Sequence, residues 1–215
     1  MKDKILKDIK DALMRGDRES VLKLTKAALD AGISVPEILD NGLIAGMEII
    51  GTRFKNNEVF IPEVLIAAKA MHTGMALLEP HFLKCGIKPL GKVVIGTVKG
   101  DLHDIGTNIV SMMLKGSCFE VEDCGIDVPT EKFIESVRNG GADILAMSSL
   151  LTTSMNSMRD TMDALKSSGL RDKVKVIVGG APVTQEFADA IGADGYAGNA
   201  AIAVDKAKEM LGVKK

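Results

Sequence analysis

One histidine in this chain stands where it could hold a ligand or a metal. The run Val93-Val94-Ile95-Gly96-Thr97-Val98-Lys99-Gly100-Asp101-Leu102-His103-Asp104-Ile105-Gly106 reads as an apolar strand that ends in a tight loop. The loop displays His103, with Asp101 two residues before it and Gly106 three residues after it. An imidazole at the carboxyl end of a buried strand sits where open α/β sheets bind their ligands. A carboxylate two positions away can accept the proton of the ring nitrogen that faces away from the ligand. That hydrogen bond is the usual means of fixing a metal-ligating histidine.

The elements that must position this loop alternate in type from Lys92 onward. Strands are predicted at 92–98, 119–123, 143–148, 174–178 and, briefly, 194–197. Helices are predicted at 105–115, 130–139, 154–168, 184–191 and 199–211. Such alternation implies a parallel sheet with helices on both faces. Five strands suggest the order 2-1-3-4-5, whose switch point lies between strands 1 and 3. A site at the switch point requires unusual loops after both strands. After strand 3 the chain reads Ser148-Ser149-Leu150-Leu151-Thr152-Thr153-Ser154, small hydroxyl residues that can line a slot and donate hydrogen bonds. After strand 4 it reads Gly179-Gly180, which lets a flat ligand approach the backbone.

Residues 1–88 read as helix throughout. Val21, Leu22, Leu24, Ala28 and Ala31 form a helical stripe that Gly32 can stop. Ser34-Val35-Pro36-Glu37 has the form of a capping box, opening a helix that runs toward Phe54. Ile61-Pro62-Glu63 begins another, predicted to end near Glu79-Pro80. Four antiparallel helices joined by short loops make a small bundle. A linker is expected over residues 84–91, which divides the chain into a helical domain, 1–88, and an α/β domain, 89–215.

The bulk properties narrow the function classes. The 215 residues are 46% apolar, with no Trp and one Tyr, so the core is aliphatic, Ala and Met. A net charge of −2 gives no reason to expect nucleic acid or an anionic membrane as partner. No apolar run reads as long enough to cross a bilayer, and the charged start does not look like a signal peptide. Cys85, Cys118 and Cys124 are odd in number and form no Cys-x-x-Cys pair, which points to reduced thiols and a cytoplasmic protein.

Asp-x-His-x-x-Gly, then Ser-x-Leu, then Gly-Gly, on a five-stranded α/β domain, together resemble the cobalamin-binding fold. The resemblance covers the whole chain. The helical region, with Phe54 six residues before Phe60-Ile61-Pro62, resembles the helical cap of cobalamin-dependent methionine synthase. The two-domain chain is similar to the corrinoid proteins of methanol, methylamine and aryl-ether methyltransferase systems. The resemblance implies cobalamin or a related cobamide as cofactor, cycling between methylcob(III)alamin and cob(I)alamin. His103 would be the lower axial ligand to cobalt, replacing the nucleotide base. Asp101 and Ser154 would complete a His-Asp-Ser relay. Gly100, Leu102, Asp104, Ile105 and Gly106 would surround the ligand. Ser148, Leu150, Thr152, Gly179 and Gly180 would take the nucleotide tail, with Tyr196, Ala197 and Ala200 near its end. Phe54 and Ile61 match capping side chains over the methyl face. Asp40 stands where the methionine synthase pattern has a glutamate. The implied partners are a substrate-specific methyltransferase, a second methyltransferase that uses tetrahydrofolate or coenzyme M, and a reductive activase.

Several of these residues also suit other roles. Asp104 beside His103 resembles the pair of metal phosphohydrolases, but His72 and His81 are nine apart and share no helix face. Met155, Met158 and Met162 form a stripe that suits core packing. Ser154 also suits an N-cap, and Lys214-Lys215 a solvated tail. A methyl carrier is the leading function. A cobalamin-dependent sensor and an adenosylcobalamin mutase subunit are the alternatives. The methyl donor is not specified by the sequence.

Overall fold

A computed structural model describes residues 2–85 and 88–213, without the side chains of residues 79 and 82–85. The Cys85 thiol, residues 86 and 87 of the expected linker and the Lys214-Lys215 tail therefore lie outside the described residues. The chain divides into two compact units, Met1–Lys88 with Lys115–Ser117, and Pro89–Leu114 with Cys118–Lys215.

The first unit is built from helices α1 (Lys2–Met14), α2 (Arg18–Asp30), α3 (Val35–Ile38), α4 (Ala45–Lys55) and α5 (Ile61–Cys85). Leu6, Ile9, Leu13, Val21, Ile38, Leu43, Ile50, Val64, Met71 and Leu78 are buried, and they recur at helical spacing. Between α3 and α4 the chain forms one wide turn of π-helix, Leu39–Ile44, in which Ala45 N–H donates to the carbonyl of Asp40 five residues back. α3, this turn and α4 thus make one interrupted rod, so the bundle has four rods.

Three expectations need correction here. Ser34 does occupy the N-cap of α3, with Pro36 in the first turn, but its side chain makes no cap hydrogen bond. Its hydroxyl donates instead to Glu37 Oε2 at 3.5 Å, which removes the reciprocal bonds of a capping box. α5 does not stop near Pro80 but passes through it to Cys85. Proline removes one amide donor and crowds one carbonyl, while the packing that buries Val64, Ala67, Ala70, Met71 and Leu78 holds the rest of the rod. Ile61–Leu78 is also long and apolar enough, by length and composition, to cross a membrane. It is a core helix of the bundle, packed against α1, α2, α3 and α4.

The second unit is a five-stranded parallel sheet in the order β2-β1-β3-β4-β5. The strands are β1 (Lys92–Thr97), β2 (Glu120–Asp123), β3 (Ile144–Ser148), β4 (Lys175–Gly179) and β5 (Gly195–Ala197). The crossover helices are α6 (Ile105–Gly116), α7 (Thr130–Gly140), α8 (Met155–Ser167) and α9 (Gln185–Ile191), and α10 (Ala200–Met210) follows the last strand. Val94, Leu145, Met147, Val176 and Val178 pack in one cluster with Phe133, Val137, Leu165 and Ile191. The alternate residues Val93, Ile95, Ile144, Ala146 and Ile177 are buried too, so both sheet faces are covered. Met158 and Met162 lie in the core, as packing residues. β1 and β3 register through Thr97 and Ser148, which brings the loops that follow them together at the switch point.

Candidate functional site

The loop after β1 is fixed from below. Val98 N–H donates to Ser148 O at 3.0 Å and Asp101 N–H to Val98 O at 3.2 Å. Gly100, at φ +86°, supplies the left-handed residue this turn needs. Thr97 Oγ1 donates to His103 O at 2.8 Å and lies 2.8 Å from Thr107 Oγ1. The backbone on both sides of His103 is therefore tied to the sheet.

Asp101 is fully buried and its carboxylate accepts four hydrogen bonds. Oδ1 accepts from His103 Nδ1 at 2.7 Å and from His103 N–H at 3.1 Å. Oδ2 accepts from Leu150 N–H at 2.6 Å and from Ser154 Oγ at 3.1 Å. Burial pushes the carboxyl pKa up. The bonds from Leu150, His103 and Ser154 overcome that and hold it at about 2. Asp101 is thus an acceptor only, so Nδ1 of His103 carries a proton, and in the neutral ring it is Nε2 that has the lone pair. The imidazole is 52% exposed, open to a ligand on that nitrogen.

The sheet edge around His103 is apolar. Leu102, Ile105, Ile126 and Leu151 are all exposed there. Among the described residues no group of three or more His, Cys, Asp or Glu could hold a metal ion. A metal bound through His103 must therefore bring its other ligands with it. The loop after β4 suits such a group. A side chain at Gly180, at φ +123°, would put Cβ 1.8 Å from Ser149 O, and one at Gly179 would meet Ala197 O at 2.7 Å. The two glycines let the loop after β4 seat directly against the backbone of the β3 loop and of β5, so this glycine slot has no side chain between its walls. An imidazole with its far nitrogen anchored, an apolar rim and a glycine-walled slot together fit a metal-bearing macrocycle with a long appendage.

The structure places the predicted residues as follows. Asp101, His103, Leu150 and Ser154 form one hydrogen-bonded group. Ser154 precedes α8 at the N-cap position but makes no cap bond with its side chain. That expectation is corrected, because the hydroxyl is turned to Asp101, Ser149 and Leu151 O. Ser148 ends β3 with its carbonyl accepting from Val98 N–H, Tyr196 and Ala197 lie on β5, and Ala200 opens α10. Thr152 and Gly106 are exposed, and Asp104 accepts from Asn108 Nδ2 at 3.1 Å. Phe54 and Ile61 belong to the helical unit, half-buried at the end of α4 and exposed at the start of α5. Asp40, in the π turn, has its carboxyl pushed up by burial and by the charge of Glu48.

Sequence reasoning missed Asp127. It holds φ +51°, unusual for a residue with a Cβ. Its Oδ1 accepts from Gly100 N–H at 2.7 Å, and its own N–H donates to Asp101 O at 2.9 Å. The loop after β2 thus braces the histidine loop. The signal was a Gly-x-Asp turn, Gly125-Ile126-Asp127, directly after a strand.

The fold and this site define a cobamide-binding protein. A family model described as a B12 binding domain matches residues 91–205, and a second so described matches residues 5–79. The chain is 47% identical to dimethylamine corrinoid protein 3 of Methanosarcina acetivorans, over 96% of this chain and 97% of that protein. It resembles the crystal structure of a cobalamin-binding protein from Desulfitobacterium hafniense, with TM-score 0.82, 34% identity and coverage of 95% and 98% of the two chains. It also matches a chain of the methanol:cobalamin methyltransferase complex of Methanosarcina barkeri, with TM-score 0.87, 29% identity and coverage of 100% and 82%. The chain belongs to the B12-binding corrinoid protein family, and its cofactor is a cobamide.

Proposed function

We propose that this protein is the methyl carrier of a methylamine methyltransferase system, and that it binds its cobamide with His103 in place of the nucleotide base. The observation that carries the reading is the 2.7 Å bond from His103 Nδ1 to the buried, ionised Asp101. It leaves Nε2 as the ligating atom at the open edge of the sheet. When bound, the cobalt of the cobamide supplies the chemistry, alternately taking up and giving up a methyl group. The protein's own part is to hold the ring in one tautomer, raise its basicity through Asp101, and keep the Gly179-Gly180 slot clear for the nucleotide tail. The relative named above supports dimethylamine as donor. A substrate-specific methyltransferase would load the carrier, a tetrahydrofolate or coenzyme M methyltransferase would unload it, and a reductive activase would restore it. A cytoplasmic location suits this exchange.

The test is electron paramagnetic resonance of the Co(II) form, reconstituted in protein with nitrogen-15-labelled histidine. The expected spectrum shows hyperfine coupling that changes with the label. Coupling to the cofactor's own base alone would sink the His103 assignment. Rapid multiple turnover of free dimethylamine by this chain alone would sink the carrier assignment.

A further inference from the structure

The slot wall carries a second buried hydroxyl, that of Ser149. Ser149, Ser154 and Asp101 are 0%, 3% and 0% exposed. Ser149 Oγ lies 2.7 Å from Ser154 Oγ, shorter than the 3.1 Å from Ser154 Oγ to Asp101 Oδ2. Both hydroxyls also lie 3.0 Å from Leu151 O. Two hydroxyls bring two protons, and three kinds of acceptor compete for them.

The arrangements can be counted. If Ser149 donates to Leu151 O while Ser154 donates to Asp101, two oxygens face each other at 2.7 Å with no proton between them. If Ser154 donates to Ser149 or to Leu151 O, the buried carboxylate loses a charge-assisted bond, the strongest available here. One arrangement avoids both costs, with Ser149 donating to Ser154 and Ser154 donating to Asp101. Leu151 O is not left bare, because it accepts from Ser154 N–H at 3.2 Å. A hydroxyl that itself accepts a hydrogen bond is a better donor.

We propose that Ser149 is a further positioning residue, whose hydroxyl donates to Ser154 and thereby strengthens the hold of Asp101 on His103. Its own place is over-determined. Ser149 N–H donates to Gly179 O at 3.1 Å, and its carbonyl fills the space that any side chain at Gly180 would need. One residue therefore joins the glycine slot to the histidine relay. The inference rests on the reading of His103 as the relayed ligand, but its test needs no cobamide.

The full chain is prepared without cofactor, with nitrogen-15-labelled histidine, and studied above the pH at which imidazoles titrate. Nitrogen shifts give the ratio of the Nδ1–H to the Nε2–H tautomer of His103, and His103→Gln identifies its signals among the three histidines. The wild-type protein should favour Nδ1–H. Ser154→Ala should lower the ratio about tenfold, the effect of losing one charge-assisted bond. Ser149→Ala should lower it about two- to threefold, as the polarisation of one such bond allows. Ser149→Ala in the Ser154→Ala background should change nothing, because Ser149 acts through Ser154. A mere packing role predicts the same factor in both backgrounds. That result, or an unchanged ratio in Ser149→Ala alone, would overturn the inference. Thermal melting of each variant confirms the fold, and Ser149→Gly repeats the cycle if the alanine variant is unstable. The Co(II) spectrum tests the His103 reading separately, so the two can fail independently.

Discussion

In the helical unit the hydroxyl of Thr25 is fully buried and has no hydrogen-bond partner. In the α/β unit Asp101, Ser149, Ser154, Thr97 and Thr107 are buried as deeply, and each is bonded. Among the described residues Thr25 carries the one such orphaned side-chain atom. The difference separates polar burial that serves a site from polar burial that serves none. At the sheet edge every buried oxygen fixes something, whether the histidine carbonyl, its ring or the loop beneath it. In the bundle, a hydroxyl among aliphatic side chains forgoes its bonds to water and gains nothing.

Changes at Asp101, Gly180 and Thr25 test that contrast. The largest effect belongs to Asp101→Ala, which removes the acceptor shared by His103 Nδ1, His103 N–H, Leu150 N–H and Ser154 Oγ. It should lower stability by about 3 kcal/mol in urea unfolding of the cofactor-free protein. Acid gives the same comparison without truncation. The carboxyl of Asp101 sits at about 2 in the folded chain, below its unfolded value of about 4. Its contribution, about 2 kcal/mol, is fully present above pH ~4 and is lost as pH falls through ~2. Asp101→Asn should flatten the acid limb of stability between these values. A wild-type slope in that variant would show that the relay is not where the protons are taken up.

Next is Gly180→Ala, expected to cost about 2 kcal/mol, since its Cβ collides with Ser149 O at a left-handed φ. Gly192→Ala, at φ +76° with nothing within 4 Å, should cost about 1 kcal/mol. Equal melting shifts for the two would mean that the slot is slack. The smallest effect has the opposite sign. Thr25→Val should raise stability by about 1 kcal/mol, because methyl replaces an unsatisfied hydroxyl. A loss of stability would show that Thr25 is bonded after all and would erase the contrast.

The parts of the fold legible in the sequence were those set by local pattern. The apolar runs of Val93–Ile95 and Ile144–Met147 marked β1 and β3, and the alternation of strand and helix from Lys92 onward pointed to a five-stranded parallel sheet and its order. Asp101 and His103 were legible because the pair is two residues apart and needs only a tight turn to meet. Asp127 was not, because its bond to Gly100 joins two loops 27 residues apart, and Ser149 was not, because its bond to Ser154 depends on how the loop between them folds back. Ser154 was legible as a polar residue before a helix, a pattern that serves a cap and a relay alike. The run of α5 through Pro80 was hidden because propensity marks a stop there, while bundle packing overrides it. The turn at Leu39–Ile44 leaves no mark in a pattern of apolar residues that simply continues.

That turn carries a consequence for how this chain can change. A wide turn holds one residue more than the same length of α-helix, and each helical residue turns the chain by about 100°. The π turn therefore sets the phase of everything after it, like a gear advanced by one tooth. Losing a single residue between Leu39 and Ile44 would leave a smoother helix. The shortened stretch would turn the chain about as far as before, so Met47 and Ile50, now buried, would stay in the bundle and Phe54 on its side of the rod. Tightening the turn to regular α-helix with all its residues kept would instead add about 100° of rotation and re-aim the whole end of α4. The irregular turn is what keeps that end pointed where it is.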